Sequence, residues 1–411
     1  MKREGIAVHI IDDLKEIAVL TSDENGAQRV AWTPTWKMAA EWFAEKMRNA
    51  GAVVWMDAAG NSWAKFSGET EEAIVIGSHI DSVPNGGWLD GILGVVAGMG
   101  VGIYGLAGRK PKKQLYVVGW VDEEGVVFGT SCLGSGIVSG SITVQKLLSL
   151  KNKEGKCLKE VWKSYGLDPY QADNAKKRFD AIPVKAYAEL HIEQAPLLAR
   201  SKKAVACVYG VCGCHRQYII FKGQQGHCGS PVALRHDAFI AAAEATLDFK
   251  NIALRYQSYC TVGHVEVGPN VNTISPGYCR ISLDQRCIDA DSMKKMISEA
   301  KKAAAKRGDD NQVTVSDETI WHEEPILFDN MLVQKCQKAV QDETGERTMM
   351  YSAPLHDAVE MYHRVPTIMM FVQSDPGISH CKEEDTPLPV LQKAICAFLR
   401  FAEEVLETRF E

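Results

Sequence analysis

Apolar residues recur in the first half of the chain with the spacings of amphipathic helices and of buried strands. The predicted elements of this part are helices 7–20, 36–50 and 91–107 and strands 73–78, 115–121 and 184–190. Helix 91–107 is rich in small residues and lies between two apolar strands. Because strand and helix alternate, we expect a parallel sheet covered by helices on both faces.

The pattern changes after about residue 208. The predicted elements here are strands 215–222, 259–267 and 278–285 and helices 235–250 and 291–306. This order is typical of two helices on a four-stranded antiparallel sheet. An α/β pattern then returns with helix 328–343, buried strand 366–372 and amphipathic helix 387–408.

The predicted fold class is therefore α/β, with a mixed, largely parallel sheet flanked by helices and an inserted α+β domain. Residues 1–209 and 324–411 would form the catalytic domain, and residues 210–323 would form a lid and dimerisation domain. A length of 411 residues supports this division, because it exceeds what one hydrophobic core usually holds.

Composition excludes several classes of partner. The net charge is −6, so we expect neither a nucleic-acid partner nor an anionic membrane surface. Charged residues interrupt the apolar N-terminal stretch, and no run approaches the roughly 20 apolar residues of a membrane span. The 12 cysteines are scattered without a CxxC pair, which favours reduced thiols, mostly packed in the core, in a cytoplasmic protein.

Side chains with metal-binding chemistry follow the predicted strands. His79 and Asp81 come at the end of strand 73–78, where open α/β sheets place their ligand sites. Asp81 could hold the second ring nitrogen of His79. Taken alone, His79 is equally compatible with a structural histidine.

Carboxylates occupy the next two strand–helix junctions. Asp90 lies between glycines at the start of helix 91–107, where it could cap the helix or bind a metal. Glu123 and Glu124 follow strand 115–121, where they could form a solvated acidic turn. Alternatively, one could bind metal while the other takes a proton from the attacking water.

Two further histidines follow strands in the same way. His191 comes after strand 184–190, and His380 comes after strand 366–372. Neither is distinctive alone, but four strand ends together deliver three histidines and a glutamate pair to one edge of the sheet. This repetition predicts a metal centre at that edge.

Seven segments resemble, in order, the dinuclear metallo-aminoacylase and carboxypeptidase superfamily. They are GSHIDSV, GGWLDG, DEEG, ELHIEQ, GHCGS, PNVNTISPG and GISHCKEED. The resemblance is closest to the branch of N-carbamoyl-L-amino-acid hydrolases, allantoate amidohydrolases and β-ureidopropionases. It extends from about residue 27 to the C-terminus.

This resemblance implies two divalent metal ions per subunit, either zinc, manganese or cobalt. His79 and His191 would bind one ion, Glu124 and His380 would bind the other, and Asp90 would bridge them. Glu123 would be the general base, and Asp81 would orient His79.

The same resemblance implies residues that handle the substrate. His227 would act from a lid that reaches the partner subunit's active site and would stabilise the oxyanion, which implies a homodimer formed through the lid domain. Asn272 and Arg286 would grip polar groups and the carboxylate of a small-molecule substrate, and Gln194 would line the site. Arg286 could instead be a surface strand residue, and His227 a turn histidine.

Some positions depart from the family pattern. Val127 stands where the family usually has arginine, and Ala195 stands where it usually has glycine. The segment before strand 366–372 keeps His356-Asp357-Ala358 but lacks the usual glycines, and the lid motif is HCGS where the family tends to HAGT. No proposed ligand is lost, but Val127 removes a positive charge, so the resemblance does not specify the substrate.

The leading hypothesis is a metal-dependent amidohydrolase that cleaves a linear amide or ureido C–N bond. Its substrate would be an N-carbamoyl-L-amino acid or allantoate. A first alternative is an N-acyl-amino-acid deacylase or dipeptidase of the same superfamily. A second is a non-catalytic binding protein, which would have no need of a general base.

Overall fold

Residues 2–410 are described by the structure, a computed structural model, and they belong to two units. The first unit contains the chain up to Tyr209, residues 328–350 and residues from 355 onward, while the second contains residues 210–327 and 351–354. The chain returns to the first unit at Phe328 rather than at 324, because the short strand Ile326–Leu327 pairs with Gly210 and Val211. The backbone N–H of Phe328 donates to the carbonyl of Tyr209.

One mixed sheet forms the centre of the first unit. Across the sheet its strands are Val205–Val211, Thr367–Val372, Val184–Ile192, Ala73–His79, Gln114–Trp120, Ser62–Phe66 and Val53–Met56. The four strands from Thr367–Val372 to Gln114–Trp120 pair in parallel, and the outer pairings are antiparallel. The predicted mixed, largely parallel sheet is therefore confirmed, and its central strands are fully buried apolar runs.

Helices pack around this sheet. They are Arg3–Thr21, Pro34–Asn49, Ile92–Gly100, Leu133–Ser139, Val144–Ser149, Leu158–Lys163, Asp173–Asp180, Leu197–Arg200, Asn330–Thr344, Asp357–Tyr362 and Leu388–Glu407. The π-helix Val101–Leu106 continues Ile92–Gly100. A Cβ atom at Gly94 would lie 2.5 Å from the carbonyl oxygen of Leu190, so small residues allow this helix to approach the sheet closely.

Minor elements complete the first unit. They are the strands Ser22–Asp23 and Gly26–Ala27, the 3₁₀ turn Pro169–Gln171 and the strand Met349–Ser352, which ends in the second unit. Among the described residues, no helix has the length and apolarity that crossing a bilayer requires. All twelve cysteines are free thiols.

The second unit contains an antiparallel sheet and two long helices. Its strands are Gly213–Lys222, Tyr259–Thr261, Val265–Gly268, Tyr278–Cys287 and Thr314–Glu323, and its helices are Ala238–Arg255 and Ala290–Asp310. The sheet has five strands where four were predicted. The run predicted at 259–267 is divided into two short strands that both pair with Tyr278–Cys287, and Thr314–Glu323, for which no run was predicted, pairs with Gly213–Lys222. The paired strands Gly226–His227 and Ile274–Ser275 and the 3₁₀ turn Val232–Leu234 complete the unit.

Alternation along the two central strands separates the faces of this sheet. Ile219, Phe221, Ile281 and Leu283 are buried and belong to the same core as residues of the two helices. Residues at the alternate positions of these strands, such as Arg216, point to the opposite face and are partly exposed. The second unit therefore has one face packed against helices and one face on which polar side chains collect.

Candidate metal centre

Carboxyl ends of parallel strands bring the candidate ligands of the first unit together. His79 is the last residue of its strand, and His191 is the last but one of the neighbouring strand. Glu123 and Glu124 follow strand Gln114–Trp120, and His380 follows strand Thr367–Val372. Asp90 lies before helix Ile92–Gly100, which connects strands Ala73–His79 and Gln114–Trp120, so all these side chains lie at one sheet edge.

Four groups of close donor atoms result among the described residues, and two of them overlap at Asp90. In the first, His191 Nε2 lies 3.4 Å from His79 Nε2 and 3.4 Å from Asp90 Oδ1. In the second, His380 Nε2 lies 3.3 Å from Asp90 Oδ2 and 3.4 Å from Glu124 Oε2. Donors arranged tetrahedrally around zinc are about 3.4 Å apart, so both groups have the spacing of metal ligands. The two oxygens of Asp90 contact different groups, Oδ1 the first and Oδ2 the second.

Backbone carbonyls orient the two buried histidines. His79 Nδ1 donates to the carbonyl of Asp81 at 3.1 Å, and His191 Nδ1 donates to the carbonyl of Ile192 at 2.9 Å. In the neutral form of each ring, Nε2 then carries the lone pair that a metal ligand needs, and it faces the cluster. The Asp81 carboxylate does not hold His79 as the sequence suggested. It lies 3.9 Å from the ring and instead accepts from the backbone N–H groups of Glu123 and Glu124.

Charges in the cluster repel one another when no cation is present. Burial, and then Asp90, raises the pKa of Glu124 to about 8. Burial, and then Glu124, raises the pKa of Glu123 well above its ordinary value. Burial lowers the pKa of His79 to about 3, so its ring stays neutral. The buried Glu124 Oε1 has no hydrogen-bond partner among the described residues. These donors therefore fit divalent cations, which would neutralise the carboxylates and bind the neutral imidazole.

Several contacts of the centre were not found from the sequence. The buried Glu384 carboxylate accepts from the backbone N–H groups of Leu89 and Asp90 and from the Ser379 hydroxyl. It thereby connects the loop of one candidate ligand with the loop of another. In the sequence, the signal that could have identified Glu384 was its position four residues after His380.

Two other side chains support the same region. The fully buried Arg29 donates to the carbonyl of Ile80, and burial lowers its pKa to about 10, so it remains charged near the carboxylates. The Cys132 thiol lies 3.6 Å from Glu123 Oε1 as a donor. Burial raises the pKa of this thiol well above its ordinary value, which keeps its proton in place.

Gln194 contacts the centre directly. Its Nε2 donates to Asp90 Oδ1 at 3.2 Å, while its buried Oε1 has no partner among the described residues. An amide oxygen without a partner can accept a hydrogen bond from a substrate N–H. Val127 lies half-buried shortly after the glutamate pair.

The second unit carries the other predicted substrate residues. His227 is exposed, and its Nδ1 accepts from the backbone N–H of Gly229 at 3.0 Å. Asn272 is exposed between strands Val265–Gly268 and Ile274–Ser275. Arg286 is half-buried and donates to the Asp284 carboxylate at 3.0 Å.

Comparisons with known proteins agree on one family. Residues 75–404 match the model of peptidase family M20/M25/M40. N-carbamoyl-L-amino acid amidohydrolase from Geobacillus stearothermophilus is 32% identical over 87% of this chain and 88% of that protein. A probable allantoate deiminase from Oryza sativa subsp. japonica is 28% identical over 93% of this chain and 85% of that protein.

A solved structure supports the same relationship. The amidase of the hydantoinase/carbamoylase family from Burkholderia multivorans superposes with a TM-score of 0.87 at 28% identity, covering 98% of each chain. The match therefore includes both units and the strands whose ends carry the candidate ligands. Taken with the family model, which covers well over half of the residues, these similarities show that the chain belongs to peptidase family M20/M25/M40.

Proposed function

We propose that the protein is a metal-dependent amidohydrolase that cleaves a linear ureido or amide C–N bond in a small substrate carrying a carboxylate. An N-carbamoyl-L-amino acid or allantoate fits this description. The observation that carries the proposal is the pair of ligand groups that share the buried Asp90, with Glu123 placed beside them as an additional carboxylate. The relatives named for allantoate and for carbamoyl amino acids support the type of bond.

We assign the ions to the two groups of donors that overlap at Asp90. His79, His191 and Asp90 would hold one ion, and Asp90, Glu124 and His380 would hold the other. Zinc, manganese and cobalt all accept imidazole and carboxylate ligands. When bound, the ions would polarise the scissile carbonyl and lower the pKa of the attacking water.

Glu123 is suited to move the proton. Its Oε2 lies 4.0 Å from His79 Nε2, and its Oε1 accepts a hydrogen bond from the Cys132 thiol. These contacts hold the carboxylate at the edge of the cluster. Because burial and Glu124 raise its pKa, it binds a proton more readily than an ordinary glutamate. Glu123 would take the proton from the attacking water and deliver it to the leaving nitrogen.

His227 is suited to donate a hydrogen bond to the oxyanion. Because its Nδ1 accepts from Gly229, the proton of the neutral ring lies on Nε2, and the ring is exposed. A donor aimed at the oxygen where charge develops lowers the barrier of acyl-type hydrolysis. We propose that the second unit pairs two subunits and that this pairing carries His227 to the active site of the other subunit.

We assign the substrate contacts to Gln194, Arg286 and Asn272. Gln194 Oε1 would accept from a substrate N–H group. Arg286 would bind the carboxylate with its planar guanidinium, and Asn272 would bind a polar group. Val127 supplies no charge of its own, so a substrate that needs a second cation at this position would bind weakly.

One substrate panel tests the proposal. N-carbamoyl-L-amino acids, allantoate, N-acyl amino acids and dipeptides are incubated with the metal-free protein after addition of zinc, manganese or cobalt. Ammonia release from a ureido substrate is the expected result. Cleavage of dipeptides or acyl amino acids without ammonia release from ureido substrates would favour the deacylase or dipeptidase alternative.

A further inference from the structure

A cavity of about 480 Å³ lies on the face of the second unit's sheet that the helices leave uncovered. Its walls include the side chains of Thr261 and Ser282 and the segment at Ala353. Three charged residues line it, and these are Arg216, Asp284 and Arg286. The charged groups at the cavity wall are therefore two guanidinium groups and one carboxylate.

The two arginines share one carboxylate. Arg216 and Asp284 are directly paired across neighbouring strands, and Arg216 donates to Asp284 Oδ2 from Nε at 3.0 Å and from Nη2 at 2.7 Å. Arg286 donates to Asp284 Oδ1 from Nε at 3.0 Å. Asp284 thus fixes both guanidinium planes at the cavity wall.

Donors remain on both arginines after these contacts. Arg286 uses Nη1 for the carbonyl of Ala353 at 2.9 Å, and Arg216 uses only Nε and Nη2 for Asp284. Among the described residues, neither Arg286 Nη2 nor Arg216 Nη1 has an acceptor. Burial opposes ionisation of Asp284, but the hydrogen bonds from the arginines outweigh it and lower the pKa, so this carboxylate stays charged.

These charges leave the cavity with one uncompensated positive charge, because two guanidinium groups face one carboxylate. We infer that this cavity binds a single carboxylate of the substrate between Arg216 and Arg286, and that Arg216 determines specificity for monocarboxylate substrates. The inference rests on the proposed function, in which Arg286 alone was assigned to the carboxylate.

Charge balance explains the preference. One carboxylate neutralises the wall and gives an acceptor to each free donor, and such charge-assisted bonds are stronger than neutral ones. An uncharged amide leaves the positive charge unmatched. A second carboxylate in the cavity adds a negative charge that no further lining residue balances.

Arg216→Gln in the metal-loaded enzyme tests the inference. The probes are N-carbamoylglycine, its uncharged primary amide and the dicarboxylate N-carbamoyl-L-aspartate. For N-carbamoylglycine, KM should rise roughly tenfold or more while kcat changes less than about twofold. For the amide, KM should not change, because the lost contact requires a carboxylate. N-carbamoyl-L-aspartate should have a lower kcat/KM than N-carbamoylglycine in the unaltered enzyme.

Two other variants separate specific from general effects. Arg216→Lys keeps the charge but loses the planar pair of donors, so its KM should lie between those of the native protein and Arg216→Gln. Arg280→Gln is the matched control, because Arg280 lies on the same face, paired with Glu266 and stacked on Tyr218, but does not line the cavity. Equal KM in Arg216→Gln and the native protein, or an equal loss in Arg280→Gln, would overturn the inference.

Calorimetry keeps this test independent of catalysis. Binding of N-carbamoylglycine is measured in Glu123→Gln with and without Arg216→Gln, and the second substitution should weaken binding roughly tenfold. If no panel substrate is hydrolysed, the proposed function fails while calorimetry still decides the carboxylate site. If substrates are hydrolysed but Arg216 has no effect on KM or binding, only the inference fails. Melting temperatures of the variants check that the fold is retained.

Discussion

Glu123 and Glu124 are neighbours in the chain but have different surroundings. Glu124 Oε2 lies 3.4 Å from His380 Nε2, whereas the Glu123 oxygens contact the Cys132 thiol and lie 4.0 Å from His79.

We predict that Glu123→Gln lowers kcat about 10²- to 10⁴-fold, since proton transfer is lost, while metal content stays nearly unchanged. Steady-state kinetics and elemental analysis measure the two effects. Glu124→Gln is the control and should lose metal. Full activity in Glu123→Gln would falsify its role as base.

Glu384 is not a candidate metal ligand, but its carboxylate supports the loops that carry two of the ligands. Because its carboxylate holds the backbone before Asp90 and the Ser379 hydroxyl, Glu384→Ala should loosen two ligand loops together. We expect the metal affinity to fall about 10- to 100-fold, as is typical when residues supporting metal ligands are removed. Chelator competition measures the affinity. Glu383→Ala, at the exposed neighbouring position, should bind metal normally. Similar losses in both variants would contradict the proposed connection.

At the scale of elements, one turn controls the position of His79. Gly91 has φ +67°, and a Cβ atom there would lie 2.3 Å from the imidazole of His79. We predict that Gly91→Ala displaces the ring and lowers metal content strongly. Gly129 also has φ +67°, but open space surrounds its Cβ position. Gly129→Ala should therefore show only the backbone cost of about 1–2 kcal/mol in the free energy of unfolding, with metal content unchanged. Elemental analysis and chemical denaturation distinguish the two, and equal metal content in both variants would refute the steric explanation.

Central elements could be predicted from the sequence because they are buried on both faces. Strands predicted at 73–78 and 115–121 correspond to Ala73–His79 and Gln114–Trp120. The final helix, predicted from its amphipathic spacing, corresponds to Leu388–Glu407. Strand Thr314–Glu323 was missed because most of its residues are exposed, so no apolar alternation marks it.

For the candidate site, the convergence of the ligands could be predicted from the sequence, but several supporting contacts could not. Convergence of the ligands follows from the rule that parallel strands end at one edge. Contacts made by Arg29, Cys132 and Glu384 depend on packing between segments distant in the chain. A pattern of neighbouring residues does not contain that information.

At the scale of the whole molecule, proton uptake makes the stability of the metal-free protein depend on pH. Burial raises the pKa of Glu124 and of Asp122 to about 8, and hydrogen bonding to Asp90 raises that of His380 to about 9. Between about pH 6.5 and 8, these groups hold more protons in the folded state than in the unfolded state. Stability should therefore fall as pH rises through this window.

Metal ions should reverse this dependence, because they replace the protons on the ligands. We predict that the protein treated with a chelator melts at a lower temperature at pH 8 than at pH 6.5. The stabilisation by added zinc or manganese should be larger at pH 8. Differential scanning calorimetry measures both effects. A melting temperature of the metal-free protein that rises with pH would contradict the prediction.

Assembly can be tested through an exposed helix of the second unit. Ile240, Leu247 and Leu254 are spaced by seven residues on helix Ala238–Arg255 and are 45%, 63% and 63% exposed. Such an apolar stripe is typical of a surface that pairs with a second copy.

We predict that the native protein is a dimer and that Leu247→Asp converts it to monomers, as measured by sedimentation equilibrium. The variant should also lose activity, because His227 would no longer reach the other subunit. Val19→Asp, at an 85% exposed position of the first unit, should stay dimeric and active. A monomeric native protein with full activity would exclude the cross-subunit role.

The hydrogen bond from Phe328 to Tyr209 joins the two points where the chain leaves and re-enters the first unit. Every candidate metal ligand belongs to the first unit, whereas Arg216, Arg286 and His227 belong to the second. Evolution can therefore alter the inserted residues to suit a new substrate while the ligand set is inherited unchanged.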